Sequence, residues 1–375
     1  MPFWASTNRW LQTISATRFA QAPLLRPASH LLGTNSTRHS YASTPSDGPN
    51  QTGGGFGIVF DVDGVLLKGS TVVPSAGPAI RKLLALQVPF VVLTNGGGML
   101  ESARSELLSR KLDAEFKPSQ IIQSHTPMRQ LVEEHAEDNV LLVGKRYENL
   151  KAVAASYGFK KVTTVEDMHI HHPRLYPDIK PGSDEVPQGF PQEPVKAVLI
   201  MNDPTFWGRE VQVCIDVLRC NGSGDLGHQT VPAGTQHVKL YNSCSDLEYS
   251  TELPVPRLGA GAFKEALSTL FLKTTGHPLQ QVEFGKPEVA SYKFAEMTLC
   301  QNVGEEGALP ERFYMVGDNP KTDIRGARAS GSHWTSVMTR TGMFVEGEND
   351  GEHPADMVVN DVGEAVDWIL AQEGL

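Results

Sequence analysis

Short apolar runs alternating with amphipathic stretches constrain this chain more than any other feature. Ile58-Val59-Phe60 and Phe90-Val91-Val92-Leu93 are brief and β-rich, and between them Gly77 to Leu86 carries apolar residues at helical spacing. A second helical stretch, Glu101 to Lys111, follows. Near the other end Phe313-Tyr314-Met315-Val316 is again strand-like, with helical Asp323 to Ala329 behind it. Strand, helix, strand in repetition predicts a parallel sheet with helices on both faces. In such a sheet the chemistry belongs at the C-terminal ends of the strands.

The middle of the chain reads as a second α/β unit inserted into the first. Asn139 to Val143, Lys161 to Thr164, Val195 to Met201 and His237 to Tyr241 are strand candidates, with helices at Glu148 to Tyr157 and Arg209 to Arg219. Two loops interrupt it, Met168 to Pro194 crowded with proline and Asn221 to Gly234 crowded with glycine.

Charge divides the 375 residues unevenly. The formal net charge is -10, yet Met1 to Ser46 holds four arginines, no lysine and no acid, so the rest stands at -14. An acidic body without a basic run is repelled by nucleic acid, which excludes that class of partner. The apolar runs fall far short of the ~18 residues a membrane span requires, so no transmembrane segment is expected. Trp10, Ile14 and Phe19 lie among the arginines of a Ser- and Thr-rich leader, as in an amphipathic mitochondrial transit peptide, and the alternative is a disordered polar tail. Arg38-His39-Ser40-Tyr41-Ala42 resembles a presequence cleavage region. The following Asp47 to Gly55 is a linker by composition. Its glycines precede the first strand, so they do not form a phosphate loop. The four cysteines make no metal spacing and read as reduced, packed thiols.

The chemistry concentrates in Ile58-Val59-Phe60-Asp61-Val62-Asp63-Gly64-Val65. Asp61 and Asp63, two residues apart at a strand end, point the same way, repel each other and invite a hard cation such as Mg²⁺. Val316-Gly317-Asp318-Asn319-Pro320-Lys321-Thr322-Asp323 places a second acidic cluster after the late strand. Between the clusters come Thr94 and Asn95 at a strand end and an isolated Lys286. A hydroxyl, an amide and an ammonium beside carboxylates suit a phosphoryl group, whose oxygens need electrostatic stabilisation.

These four segments in this order resemble the haloacid dehalogenase superfamily of aspartate-nucleophile hydrolases. The resemblance implies an α/β fold, a Rossmann-like parallel-sheet core with an inserted α/β cap of the C2 type. The position of the insert is similar to subfamily IIA. Phe60 to Gly64, Leu93 to Gly98, Asn202-Asp203-Pro204 with Trp207-Gly208, and Leu253 to Phe263 look like the cat eye syndrome critical region protein 5 family. On this resemblance residues 1–41 are a transit peptide, 42–55 a linker, 56–138 and 257–375 the two parts of the core, and 139–256 the cap. Leu258 to Phe263 is then a glycine-rich return from cap to core.

The same resemblance implies that Asp61 is the nucleophile and Asp63 the general acid and base. Thr94, Asn95 and Lys286 bind the phosphoryl group, and Asn242 has a pocket role; Gly96-Gly97-Gly98 departs from better-known members of subfamily IIA, which commonly carry polar residues there, and the backbone of Gly96 is expected to bind phosphate instead. Asp61, the backbone carbonyl of Asp63, and Asp318 ligate Mg²⁺, with Asp323 supporting the loop from behind. The expected activity is Mg²⁺-dependent hydrolysis of a small phosphorylated metabolite in the mitochondrial matrix, by a chain that pairs as a homodimer. A phosphomutase using the same aspartyl-phosphate and a silent scaffold that keeps the fold are the alternatives.

Other features have plainer explanations. His169, His171 and His172 have no second ligand pair and suit a solvated loop. The stretch Asn202 to Trp207 is either a structural turn or a specificity loop. Asp246 is a weaker pocket candidate than Asn242, and Cys244 lacks a histidine to activate it.

Overall fold

The computed structural model describes residues 55–375 apart from 178, 181–189, 192, 221–235, 250–252, 254 and 304–307. The expected transit peptide, nearly all of the linker and the glycine-rich 221–234 loop therefore lie outside the described residues. No helix among the described residues is long and apolar enough to cross a membrane.

The strands that build the two sheets are β1 (Gly55–Phe60), β2 (Phe90–Thr94), β3 (Ile121–Gln123), β4 (Asn139–Val143), β5 (Lys161–Thr164), β6 (Val195–Ile200), β7 (Lys239–Asn242), β8 (Val282–Glu283), β9 (Pro310–Gly317), β10 (Trp334–Thr339) and β11 (Met357–Val359). The first sheet is parallel throughout, in the order β11-β10-β9-β1-β2-β3. Every residue of β2 is buried, because helices cover both faces and leave no polar side. Alternate residues enter opposite cores: Ile58, Phe60, Phe90 and Val92 pack on one face, Val59, Val91 and Leu93 on the other. Chain order reverses at β1, which has β2 on one side and β9 on the other. Such a switch point opens a crevice at the strand ends.

Register makes that crevice chemical. Phe60 pairs with Val316 of β9 and with Val92 of β2, and the Asp61 N–H continues the ladder to the Val316 carbonyl at 2.9 Å. The residues just beyond these pairs are Asp61, Gly317-Asp318 and Leu93-Thr94-Asn95, so the expected motifs meet at one edge.

The second sheet, β8-β7-β6-β4-β5, is also parallel. Leu141, Val143, Val198 and Ile200 face the helices Trp207–Leu218 and Ala260–Thr275 through Val211, Phe263, Leu267 and Phe271. Val140, Leu142 and Leu199 face the helix Tyr147–Tyr157 through Leu150 and Val153. The expected cap boundary at residue 256 comes too early. Phe263, Leu267 and Phe271 bury themselves against the cap sheet, and β8 completes that sheet, so the chain reaches the core only at Lys286. Leu258 to Phe263 is thus a turn into a cap helix rather than a return to the core.

The proline-rich segment also begins differently from the expected loop. Met168 to His171 finish the helix Val165–His171, where Thr164 caps the N-terminus by accepting from the Asp167 N–H.

Candidate active site

Lys286 lies at the centre of the crevice, 2% exposed. Its Nζ donates to Asp61 Oδ1 at 2.5 Å and to Asp323 Oδ1 at 2.7 Å. The other oxygen of Asp323 accepts the N–H groups of Asp318 and Asn319 at 3.1 and 3.0 Å. One carboxylate thus ties the lysine to the loop after β9. Tyr292 donates its hydroxyl to the carbonyl of Asp323 at 3.0 Å and fixes that loop from below.

Asp318 sits between two glycines. A Cβ on Gly64 or on Gly342 would collide with its carboxylate, and Gly64 also holds φ at +100°, where side chains are strained. Met343 N–H donates to Asp318 Oδ2 at 2.6 Å. The glycine of the Asp-Gly turn is therefore required both for the bend and for this close approach.

Carboxylate oxygens of Asp61, Asp318 and Asp323 lie within 4.8 Å of one another, all buried. Burial pushes the Asp61 carboxyl up to about 7, against the pull of Lys286, with Asp323 and Asp63 adding repulsion. Burial and the charges of Asp61 and Asp323 raise Asp318 well above the carboxylate range. Lys286 is held well above the usual lysine value despite its burial, because Asp323 and Asp61 face it. One ammonium does not balance three buried acids, so an all-oxygen cluster of this charge fits a hard divalent cation. The side chain of Asp63 stands apart from this cluster, exposed to the cleft.

Thr94 is buried, and its Oγ1 accepts the Gly96 N–H at 3.0 Å. Gly96 lies against both Thr94 Oγ1 and Asp63 Oδ2. Asn95 is placed differently from its expected phosphate-binding role. Its Oδ1 accepts the Lys286 N–H at 2.7 Å, while Nδ2 donates to the Lys286 carbonyl and to Asp246 Oδ1, both at 2.9 Å. That amide is committed to protein partners and acts as a brace. Asn242 is fully buried, with Nδ2 donating to the Cys244 carbonyl at 3.0 Å.

The run Gly96-Gly97-Gly98 has a packing reason. A Cβ on Gly97 would press on His125, Ser124 and the Met201 carbonyl, and one on Gly98 would collide with the amide of Asn202. Gly144 crowds the same amide from the cap side. Asn202, just after β6, is therefore seated on the core loop. A polar network joins cap to core beside it. Glu101 Oε1 accepts from Tyr157 Oη at 2.5 Å, Thr126 Oγ1 at 2.8 Å and Arg129 at 3.2 Å. His125 Nδ1 stands 2.8 Å from the same Tyr157 oxygen.

The histidine segment is less solvated than expected. His169 is buried in a helix with Nε2 3.1 Å from the Tyr176 carbonyl, while His171 stacks on Phe190. None of the three histidines belongs to a potential metal cluster among the described residues. Cys244 is buried, which raises its thiol well above the ordinary value and leaves it a packed group.

A haloacid dehalogenase-like hydrolase model matches residues 58–160, and a HAD-hydrolase-like model matches residues 283–365. A mitochondrial hydrolase of Saccharomyces cerevisiae is 34% identical over 339 residues, spanning 82% of this chain and 94% of that protein. The chain belongs to the haloacid dehalogenase-like hydrolases. A second relative of this hydrolase, 34% identical over 328 residues, is a cardiolipin synthase (CMP-forming) / mitochondrial hydrolase fusion protein of Schizosaccharomyces pombe. The match covers 84% of this chain and 53% of the fusion. The fold of this family recurs in a p-nitrophenyl phosphatase from Archaeoglobus fulgidus, 16% identical with a TM-score of 0.58, over 84% of this chain and 100% of the other.

The hydrolase site also contains residues that sequence reasoning did not single out. Glu101, Tyr157 and His125 carry no motif, and Asp246 ranked below Asn242. The only signal was the glycine run at 96–98, whose meaning depended on what approaches it.

Proposed function

We propose that this hydrolase is a Mg²⁺-dependent phosphatase acting on a small phosphate monoester. The observation that carries the reading is Asp61, held by Lys286 at 2.5 Å and clustered with Asp318 and Asp323 at the switch point of the sheet. A bound Mg²⁺, held by Asp61, Asp318 and the backbone carbonyl of Asp63, supplies positive charge against phosphate oxygens and fits the oxygen-only donor set.

Asp61 attacks phosphorus through a carboxylate oxygen, forming an aspartyl-phosphate as the ester oxygen departs. Asp63 gives its proton to that leaving oxygen. Water then attacks phosphorus, Asp63 takes back a proton, the acyl phosphate bond breaks and inorganic phosphate leaves Asp61 free. Lys286, the Thr94 hydroxyl and the Gly96 backbone balance charge on the transferring group. Asp246, Asn202 and Tyr157 seat the cap on the core loops. A cap seated this closely favours small esters over polymers and keeps bulk water from the intermediate. The arginine-rich leader and the mitochondrial names of the two relatives support a mitochondrial location.

Phosphate release from a panel of phosphate monoesters in Mg²⁺, comparing the native chain with Asp61→Asn, tests the reading. Release by the native chain alone is expected. Equal background release by both refutes an enzyme of this type.

A further inference from the structure

We infer that Asp246, a cap residue, is a positioning residue for Lys286 and acts through Asn95. The inference rests on the phosphatase reading and adds to it a contribution from the cap to the geometry of the chemical step.

The connection is a short chain of hydrogen bonds across the domain boundary. Asp246 Oδ1 accepts from Asn95 Nδ2 at 2.9 Å. Asn95 in turn grips the backbone of Lys286 on both sides, accepting its N–H at 2.7 Å and donating to its carbonyl at 2.9 Å. The far end of Lys286 meets Asp61 and Asp323. Of the two amide hydrogens on Asn95, one serves Lys286 and the other Asp246, so removing Asp246 frees the amide to turn about its own axis.

Asp246 is itself held from several directions. Its carbonyl accepts the Gly261 N–H at 2.8 Å, and its N–H points to Cys244 Sγ at 3.5 Å. Any Cβ at Gly259 or Gly261 would strike the backbone of Asp246. The glycine-rich segment that opens the cap helix thus makes room for this loop. An acid whose main chain is fixed on both sides, and whose side chain spans the boundary to the residue gripping Lys286, transmits the seating of the cap to the ammonium. Displacing a catalytic group by about 1 Å costs about 100-fold in rate, so a brace of this kind acts on turnover more than on affinity.

Steady-state hydrolysis of p-nitrophenyl phosphate in Mg²⁺ provides the test, using the full chain with Asp246→Ala, Asp246→Asn, Asn95→Ala and the alanine double variant. Asp246→Ala is expected to lower kcat about 10- to 100-fold with KM changed less than about threefold. Asp246→Asn keeps an acceptor oxygen and is expected to recover kcat to within about threefold of the native value. The double variant should lose no more than Asn95→Ala alone, since the same link is already cut. Asp246→Ser, polar but too short to reach Asn95, gives the same reading where the alanine variant does not fold. Native kcat in Asp246→Ala or Asp246→Ser, an asparagine variant as slow as alanine, or losses that multiply in the double variant would each overturn the inference. A native chain without Asp61-dependent release refutes the phosphatase reading instead, which separates the two failures.

Discussion

Replacing Gly98 by alanine puts the seating of the cap on the core to a quantitative test. Gly98 holds φ at +91°, a region that costs an alanine about 1–2 kcal/mol. Its new methyl group would also fall on the Asn202 amide. Asn202 has little room to yield, being 5% exposed with its Oδ1 accepting the Lys145 N–H at 2.7 Å and Gly144 close behind. Overpacking against such a neighbour costs a further ~1–3 kcal/mol, so the total is about 2–5 kcal/mol. Urea unfolding of Gly98→Ala, Asn202→Gly and the double variant separates the contributions. Removing the Asn202 side chain relieves the collision and leaves the backbone strain, so the cycle should show a favourable coupling of about 1–3 kcal/mol. A Gly98→Ala protein within about 0.5 kcal/mol of native, or a cycle without coupling, would refute the claim that this glycine exists for the cap.

Other outcomes follow from the same geometry. Lys286→Met leaves buried carboxylates without their ammonium and should cost about 3–5 kcal/mol in metal-free buffer, along with phosphate release; unfolding in EDTA measures the first and the activity assay the second. Mg²⁺ should raise the melting temperature of the native chain and not that of Asp318→Asn, read by thermal shift against metal concentration. Tyr157→Phe removes a donor to Glu101 and the partner of His125 Nδ1, with an expected cost of about 1–3 kcal/mol by urea unfolding. Burial lowers the His125 pKa from 6.5 to about 4. Between those values the unfolded chain binds a proton that the folded chain refuses, so this residue's contribution is full above pH 6.5 and is lost as pH falls toward 4. The loss amounts to about 3 kcal/mol, and a His125→Gln protein should show a correspondingly shallower decline over that window.

The legibility of the site tracks the range of the interactions involved. Asp61 and Asp63 could be read because a strand end, a two-residue spacing and a glycine are local facts. Asp318 and Thr94 could be read because each follows an apolar run, and parallel pairing aligns such ends. The role of Asn95 could not, since its side chain forms bonds to residues 151 and 191 positions away. The cap boundary was misjudged for a related reason. The helix Ala260–Thr275 is amphipathic toward either domain as far as sequence shows, and only its burial of Phe263, Leu267 and Phe271 against β4 and β6 decides which.

By itself, the order of residues determined a parallel α/β core, an inserted cap and the acids gathered at the strand ends, because hydrophobic period and strand-end chemistry are written within a few residues. Tertiary structure alone decided that Gly97 and Gly98 exist for the approach of Asn202 and its neighbours, that Asn95 serves Lys286, and that Asp246 reaches across from the cap. Close packing and bridging hydrogen bonds depend on which distant surfaces meet, and that is settled only when both sheets have folded and closed on each other.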